Sequence, residues 1–288
     1  IADVQYVNKP DNLHPDIVVF NRNLINWGSV ERFKAAKKVW WLHDIVDYRY
    51  LDDNAFTAVD KIVALSDYNV ASYSDYYTIE RSKFTIIPNG VDNDVFYKGD
   101  YSKRDKNLYI CASAPVKGLY PVEFSLYNLK RFNPDIKFRL YVSQSLHDYE
   151  NDKQTDTLFD KLRSMGAEIC EPIPQKDLAN VMRKAWCLLM PNHYPEICSN
   201  LLLQAMACGL PTISVPIGSV PEYIKHGVNG LLTKTYPHDM YWWWKDYAGL
   251  CIEMQNEELH KRLSDGCRDI TSWDEIGSEW DKLLSLGV

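Results

Sequence analysis

Cys187-Leu-Leu-Met190, then Pro191-Asn-His-Tyr-Pro-Glu-Ile-Cys-Ser199, then Asn200-Leu-Leu-Leu-Gln-Ala-Met-Ala-Cys208-Gly209 run on without interruption. The first piece is short and wholly apolar, as a strand buried on both faces must be. The second is a turn. The third reads as a helix that stops at glycine, the residue favoured just past a helix end. A strand, a turn and a helix in that order form one half of a βαβ unit and call for a parallel sheet.

Outward from this stretch the same alternation repeats. Upstream, Asp16–Phe20, Val39–His43, Lys61–Ser66 and Phe84–Pro88 read as four buried strands. Leu24 to Lys38 and Asp67 to Tyr77 between them are long enough for helices, the latter capped by Ser66-Asp67. Leu108–Ala112, Phe138–Val142, Ala167–Cys170 and Pro211–Val215 continue the strands. Helices are expected at Pro121–Phe132, Gln175–Ala185, Val220–Gly227 and Asp274–Ser285. The polar stretch Lys98–Asn107, after Asn89-Gly-Val-Asp92, reads as the domain boundary. The expected domains are 1–96, 97–271 and a C-terminal helix, 272–288, packing back on the first. The fold class is therefore α/β, with two Rossmann-like doubly wound parallel sheets in sequence.

Bulk composition agrees with this class. The chain has 288 residues, 46% of them hydrophobic and 25% charged, with nineteen Tyr and nine Trp for the core. A net charge of −7 without a Lys/Arg cluster argues against nucleic acid. The seven cysteines contain no CxxC, and their odd number argues for reduced, mostly buried thiols in a cytoplasmic protein. Asp3, Gln5 and Asn8 occupy the place of a signal-peptide core, and no apolar run is long enough to span a bilayer. Tyr241-Trp-Trp-Trp-Lys245 reads as core or interface, because Asp239 and Asp246 flank it; peripheral membrane contact is the alternative. His147 and His260 stand in polar stretches and read as surface residues. No cluster has metal-ligand spacing.

Ligands of open parallel sheets sit beyond the carboxyl ends of strands, facing helix N-termini. Two turns qualify: Ser113-Ala-Pro-Val-Lys117-Gly118, and Pro191–Asn200. At the second, the N–H groups of Ser199, Asn200 and Leu201 head a helix, whose end carries about half a positive charge. Lys117 supplies a cation, worth about 1.5–3 kcal/mol against a phosphate. Glu196 and Gln204 are eight positions apart, about 12 Å along a helix. That suits opposite ends of one extended ligand rather than a shared proton.

The run Pro195–Pro211 resembles the signature of the family 4 retaining glycosyltransferases, which have the GT-B fold. So do Gly218-Ser-Val-Pro-Glu222 through Gly230-Leu-Leu232, Ile87-Pro-Asn-Gly-Val-Asp92 with Phe96, Lys117-Gly118, Trp41-Leu-His43-Asp44 and Ser272-Trp273. These pieces occur in family order over nearly the whole chain. The resemblance implies a metal-independent, hexosyltransferase-like enzyme of polysaccharide synthesis. It would move a sugar from a UDP-, GDP- or ADP-sugar to a glycan or glycoconjugate hydroxyl, with no separate cofactor. Glu196 would hold donor-sugar hydroxyls, Gln204 the ribose, and Lys117 the pyrophosphate. His43 would approach the sugar from the other domain. Glu196 and His43 are thus the candidate catalytic residues. Base recognition falls near Glu171–Ile173, largely through backbone.

Three features depart from the family pattern. Gln204 stands for a Glu, though an amide still donates to and accepts from a hydroxyl. Ala112 stands for an Arg, leaving Ser113 to contact phosphate. The N-terminal domain reads as shortened, with no glycine-rich loop. Together they motivate a second reading, a nucleotide-sugar binding protein or fragment with little or no turnover. A sugar-nucleotide epimerase is a third.

Overall fold

The computed structural model describes residues 14–22, 32–33, 35–45, 53–142 and 153–285. The chain divides into two compact units: one reaches Ile87 and resumes at Ser278, the other runs Pro88–Gly277.

In the first unit β1 (Ile17–Asn21), β2 (Lys37–Trp41), β3 (Lys61–Ala64) and β4 (Phe84–Ile86) pair in chain order, all parallel. Helix α1 (Asp53–Ala58) lies between β2 and β3, and α2 (Asp67–Tyr77) between β3 and β4. The buried side of the sheet gathers Trp40, Leu42, Ile62, Ala64, Val70 and Phe84. Trp40 meets Phe56 and Tyr73 at ring separations of 5.2 and 5.4 Å, and such pairs add about 0.5–1.5 kcal/mol to their buried area. Ser66 Oγ accepts from Asn69 N at 3.1 Å, capping α2. Trp280 stands 4.9 Å from Trp41 and ties the last helix to this unit. Most of the helix expected over Leu24–Lys38 lies outside the described residues. Its end is corrected, because Lys37 and Lys38 already belong to β2. Lys38 stays apolar in effect: its stem is buried while Nζ reaches Ala36 O at 2.9 Å.

The second unit holds β5 (Leu108–Cys111), β6 (Lys137–Tyr141), β7 (Glu168–Cys170), β8 (Cys187–Met190), β9 (Thr212–Ser214) and β10 (Gly230–Leu232). Their order is β10-β9-β8-β5-β6-β7, all parallel. This is the doubly wound order whose direction reverses between the first and fourth strands. Here that switch point is the β5–β8 pair, where Tyr109 faces Cys187. Covering helices are α3 (Tyr120–Phe132), α4 (Lys153–Ser164), α5 (Gln175–Lys184), α6 (Asn200–Ala207), α7 (Val220–Tyr223), α8 (Met240–Glu253) and α9 (Glu257–Gly266). The final helix, α10 (Trp273–Ser285), begins in this unit and ends in the first. Tyr109, Leu126, Phe138, Leu189 and Tyr247 form part of one continuous core.

Three expectations change here. The chain parts at Ile87 and Ser278 rather than at 96 and 272. Val91 N donates to Thr271 O and Trp273 N to Val91 O, which stitches 88–96 into the second unit. Lys98–Asn107 is polar because it serves that unit's own backbone ends; Arg104 within it is buried. Tyr241–Lys245 is divided: Trp243 is core, whereas Tyr241 and Trp242 are exposed, with Lys245 Nζ 4.7 and 5.0 Å from their rings. Among the described residues no helix is long and apolar enough to cross a membrane. All seven cysteines are free and six are buried, where burial pushes the Cys251 thiol up to about 12.

His260 is not a surface residue. It is fully buried, stacked 3.4 Å from Trp186, with Nε2 2.6 Å from Trp186 O and Nδ1 3.0 Å from Tyr101 Oη. His147 lies outside the described residues. Desolvation pulls the His260 imidazole down to about 4 from 6.5. The unfolded chain therefore binds the extra proton first as pH falls, so stability drains away from pH 6.5 down to 4. The loss amounts to about 3 kcal/mol at full extent. Urea midpoints across this window should fall for the native chain and stay flatter for His260→Phe, which keeps the stacking. Parallel slopes would disprove the assignment.

Candidate functional site

Both turns that the sequence singles out follow the switch-point strands, one after β5 and one after β8. Their backbones interlock. Pro115–Lys117 forms a single 3₁₀ turn closed by Gly118 at φ +122. A Cβ at Gly118 would lie 2.5 Å from Pro191 O and 2.8 Å from His193 Nδ1. His193 N donates to Lys117 O at 2.9 Å. Only glycine permits this approach, and the approach delivers Lys117 to the second turn.

Lys117 Nζ then stands 2.7 Å from Glu196 Oε1. The pair is two-thirds or more buried, at 33% and 13% side-chain exposure. Asn192 Nδ2 donates to the same oxygen at 2.9 Å. Among the described residues Oε2 of Glu196 accepts no side-chain hydrogen bond, so it is the atom left to bind. The Glu196 backbone is fixed from behind, because its carbonyl accepts from Ser219 N at 2.7 Å. Gly218, at φ +61, passes so close that a Cβ would lie 2.3 Å from Glu196 O.

Helix α6 begins four residues after Glu196. Ser199 occupies its cap position but makes no capping bond; its Oγ turns to Met190 Sδ at 3.9 Å. The first N–H groups of the helix are thereby left to an anion rather than to a cap. Asn89 braces this turn, donating from Nδ2 to Asn200 Oδ1 at 2.8 Å and to Cys198 O at 3.4 Å. Ser113 Oγ is 3.7 Å from Cys111 Sγ at the end of β5. Further along α6, Gln204 Nε2 donates to Gln175 Oε1 at 2.8 Å. Gln175 opens α5 two residues after Ile173, so the helix face and the loop meet there.

His43 belongs to the first unit and is described within it. It follows β2, with its ring 4.3 Å from Trp41. Burial, then the positive charge of Arg22, lower its pKa from 6.5, with Asp44 pulling the other way. Its Nε2 is buried without a hydrogen-bond partner. The imidazole is thus neutral at neutral pH.

The family "Glycosyl transferases group 1" matches residues 150–243, which take in Glu196, α6 and Gly218. Over those residues the chain is similar to the group 1 glycosyltransferases. A D-inositol 3-phosphate glycosyltransferase of Actinosynnema mirum is 26% identical over 196 residues, which is 63% of this chain and 47% of the relative. A probable sucrose-phosphate synthase of Thermosipho melanesiensis is 24% identical over 222 residues, 75% of this chain and 51% of the relative. The chain spans about half the length of the curated relatives it matches. HepE of Anabaena, in complex with UDP, superposes with a TM-score of 0.71 at 17% identity, covering 90% of this chain and 75% of that one. The fold is GT-B.

The residues expected from sequence fall into three sets. Lys117 and Glu196 touch, with Ser199, Asn200 and Leu201 following on α6. Gln204 bonds Gln175, which opens α5 two residues after Ile173. Ser113 comes two residues after β5, and His43 stands in the other unit. Sequence reading missed Asn192 and Gln175, and it took Asn89 for a simple turn residue. Nothing in their spacing singles them out: each acts through one side-chain bond to a residue that was recognised.

Proposed function

We propose that the chain is the donor-handling part of a retaining glycosyltransferase that moves a sugar from a nucleotide sugar to a hydroxyl of a glycan or glycoconjugate. The observation that carries this reading is the Lys117–Glu196 contact of 2.7 Å, set before an uncapped helix at the switch point. One cation and one carboxylate side by side suit a ligand with a diphosphate and neighbouring hydroxyls. Lys117 and the head of α6 would hold the diphosphate, and Glu196 Oε2 would accept from sugar hydroxyls. Gln204 would meet the ribose, Ile173 the base and Ser113 a phosphate oxygen. His43, neutral at working pH, would donate or accept a hydrogen bond at the sugar.

In the reaction the bond from the anomeric carbon to the phosphate oxygen breaks, and its electrons leave with the diphosphate. The acceptor oxygen bonds to that carbon from the same face, and its proton passes to the departing phosphate. Positive groups aimed at the leaving oxygens lower this barrier; no protein nucleophile is needed. A second reading, nucleotide-sugar binding without turnover, is favoured by Gln204 and by Ala112, where a carboxylate and a guanidinium are absent.

The test is to titrate the chain with UDP, GDP, ADP and their sugars, and to follow nucleotide release with and without glycan acceptors. Binding together with release supports transfer. Binding alone supports the second reading. No binding to any of them eliminates both.

A further inference from the structure

Asn192 has a role that the donor reading does not supply. Its side chain comes two residues after β8 and is 2% exposed. Nδ2 donates to Glu196 Oε1 at 2.9 Å, whereas Oδ1 is buried with no hydrogen-bond partner among the described residues. The amide cannot be reversed, because its oxygen would then face a carboxylate oxygen, acceptor against acceptor. Buried polar groups are normally satisfied. Asn192 therefore leaves one end unmet in order to place the other on Glu196.

Lys117 reaches the same oxygen, but the two donors differ. Lys117 is a flexible chain, one-third exposed, and the donor reading turns it toward the diphosphate. Asn192 is enclosed and short. Once a donor occupies the site, Asn192 is the group that keeps the Glu196 carboxylate from rotating.

We infer that Asn192 is a positioning residue that fixes Glu196 Oε1 so that Oε2 alone meets the donor sugar. The inference rests on the donor-site reading above, and it concerns the sugar half of the ligand rather than the nucleotide half. A leucine at this position removes the unmet acceptor along with the bond, so folding stability should not fall. Sugar recognition should.

The experiment uses the whole chain and a panel of UDP, GDP and ADP with their glucose, galactose, mannose and N-acetylglucosamine esters. In Asn192→Leu the tightest nucleotide sugar of the panel should bind about tenfold more weakly, the size of one charge-assisted hydrogen bond. The bare nucleotide should be unchanged, and the thermal midpoint unchanged or higher. Asn192→Asp places a second carboxyl against Glu196, so one of the two keeps its proton to higher pH than an isolated carboxyl. Its protonated form restores the donor, so nucleotide-sugar affinity should recover as pH falls from about 8 to about 5. The native chain, which carries the same Lys117 and His193, is measured over the same pH range as the control.

Equal losses for nucleotide and nucleotide sugar, a lowered midpoint in Asn192→Leu, or a flat profile in Asn192→Asp would each overturn the inference while leaving the donor reading intact. Failure of the native chain to bind any panel member would instead remove the donor reading, and the inference with it.

Discussion

Glu196→Ala is expected to lower sugar transfer, or donor hydrolysis where no acceptor is present, by about ten- to a hundredfold. The range follows from losing one hydrogen bond to a charged group, about 1.5–3 kcal/mol, with tenfold per 1.4 kcal/mol. The loss should fall on the sugar and not on the nucleotide. Removing the carboxylate also releases Lys117 from its 2.7 Å contact, so bare nucleoside diphosphate should bind as well as before or better. Glu196→Gln separates charge from geometry. An amide can keep its oxygen on the two donors, Lys117 Nζ and Asn192 Nδ2, that converge on Oε1, but it then presents N–H₂ where Oε2 stood. It should therefore recover only part of the activity. Steady-state kinetics beside nucleotide titrations decide the matter: unchanged turnover in Glu196→Ala removes this residue from the site.

Much of the fold was legible because parallel strands buried on both faces are written as unbroken apolar runs. Cys187–Met190 and Asp67–Tyr77 were read to the residue, the first from its apolarity and the second from the Ser66 cap. Helices α1, α4, α8 and α9 and strand β10 do not stand out in the sequence. Lys153–Ser164 is mostly polar, with only Leu158, Phe159 and Leu162 buried. Met240–Glu253 is so aromatic that its buried and exposed faces do not separate by eye. His260 was misread for a related reason. Acidic and basic neighbours on α9 hide that one face of the helix carries His260 and Leu263 inward.

The site divides along the same line. Lys117 and Glu196 stand out in sequence because a cation and a carboxylate beside turn formers at strand ends are uncommon company for a core. Asn192, Gln175 and Asn89 are invisible there, since an amide in a turn is usually bonding its own backbone. Only the folded chain shows Asn89 on Asn200 and Gln175 on Gln204, contacts separated by 111 and 29 positions. The domain boundary was misplaced by the same bias. Polarity in Lys98–Asn107 looks like a solvated linker, but Arg104 within it answers buried helix-end carbonyls with charge.

Arg104 is the clearest case, and its loss is expected to be the largest effect on stability. Its guanidinium is buried and donates to four carbonyls: Met182 O at 3.1 Å, Ala185 O at 2.7 Å, Cys208 O at 2.8 Å and Gly209 O at 2.7 Å. Two of these close α5 and two close α6, where carbonyls lack helical partners and the dipoles are negative. One planar fork thus ties both helix ends, an arrangement that a lysine point charge cannot reproduce. Arg104→Met fills the volume but strands buried acceptors, each costing about 1–3 kcal/mol and not additively. A destabilisation of about 4 kcal/mol is expected, lowering the midpoint by on the order of 10 °C for a unit of this size. Arg104→Lys should recover part of it. Because α6 bears the proposed donor-site N–H groups at its other end, loosening its C-terminus should also weaken nucleotide binding, even though Arg104 lies at the opposite end of that helix. Calorimetry of the three proteins tests the stability claim, and a Met variant within about 1 kcal/mol of the native chain would refute it. If stability falls while nucleotide affinity holds, then the Asn89 brace suffices to hold the N-terminal turn of α6, and the two ends of the helix are energetically independent.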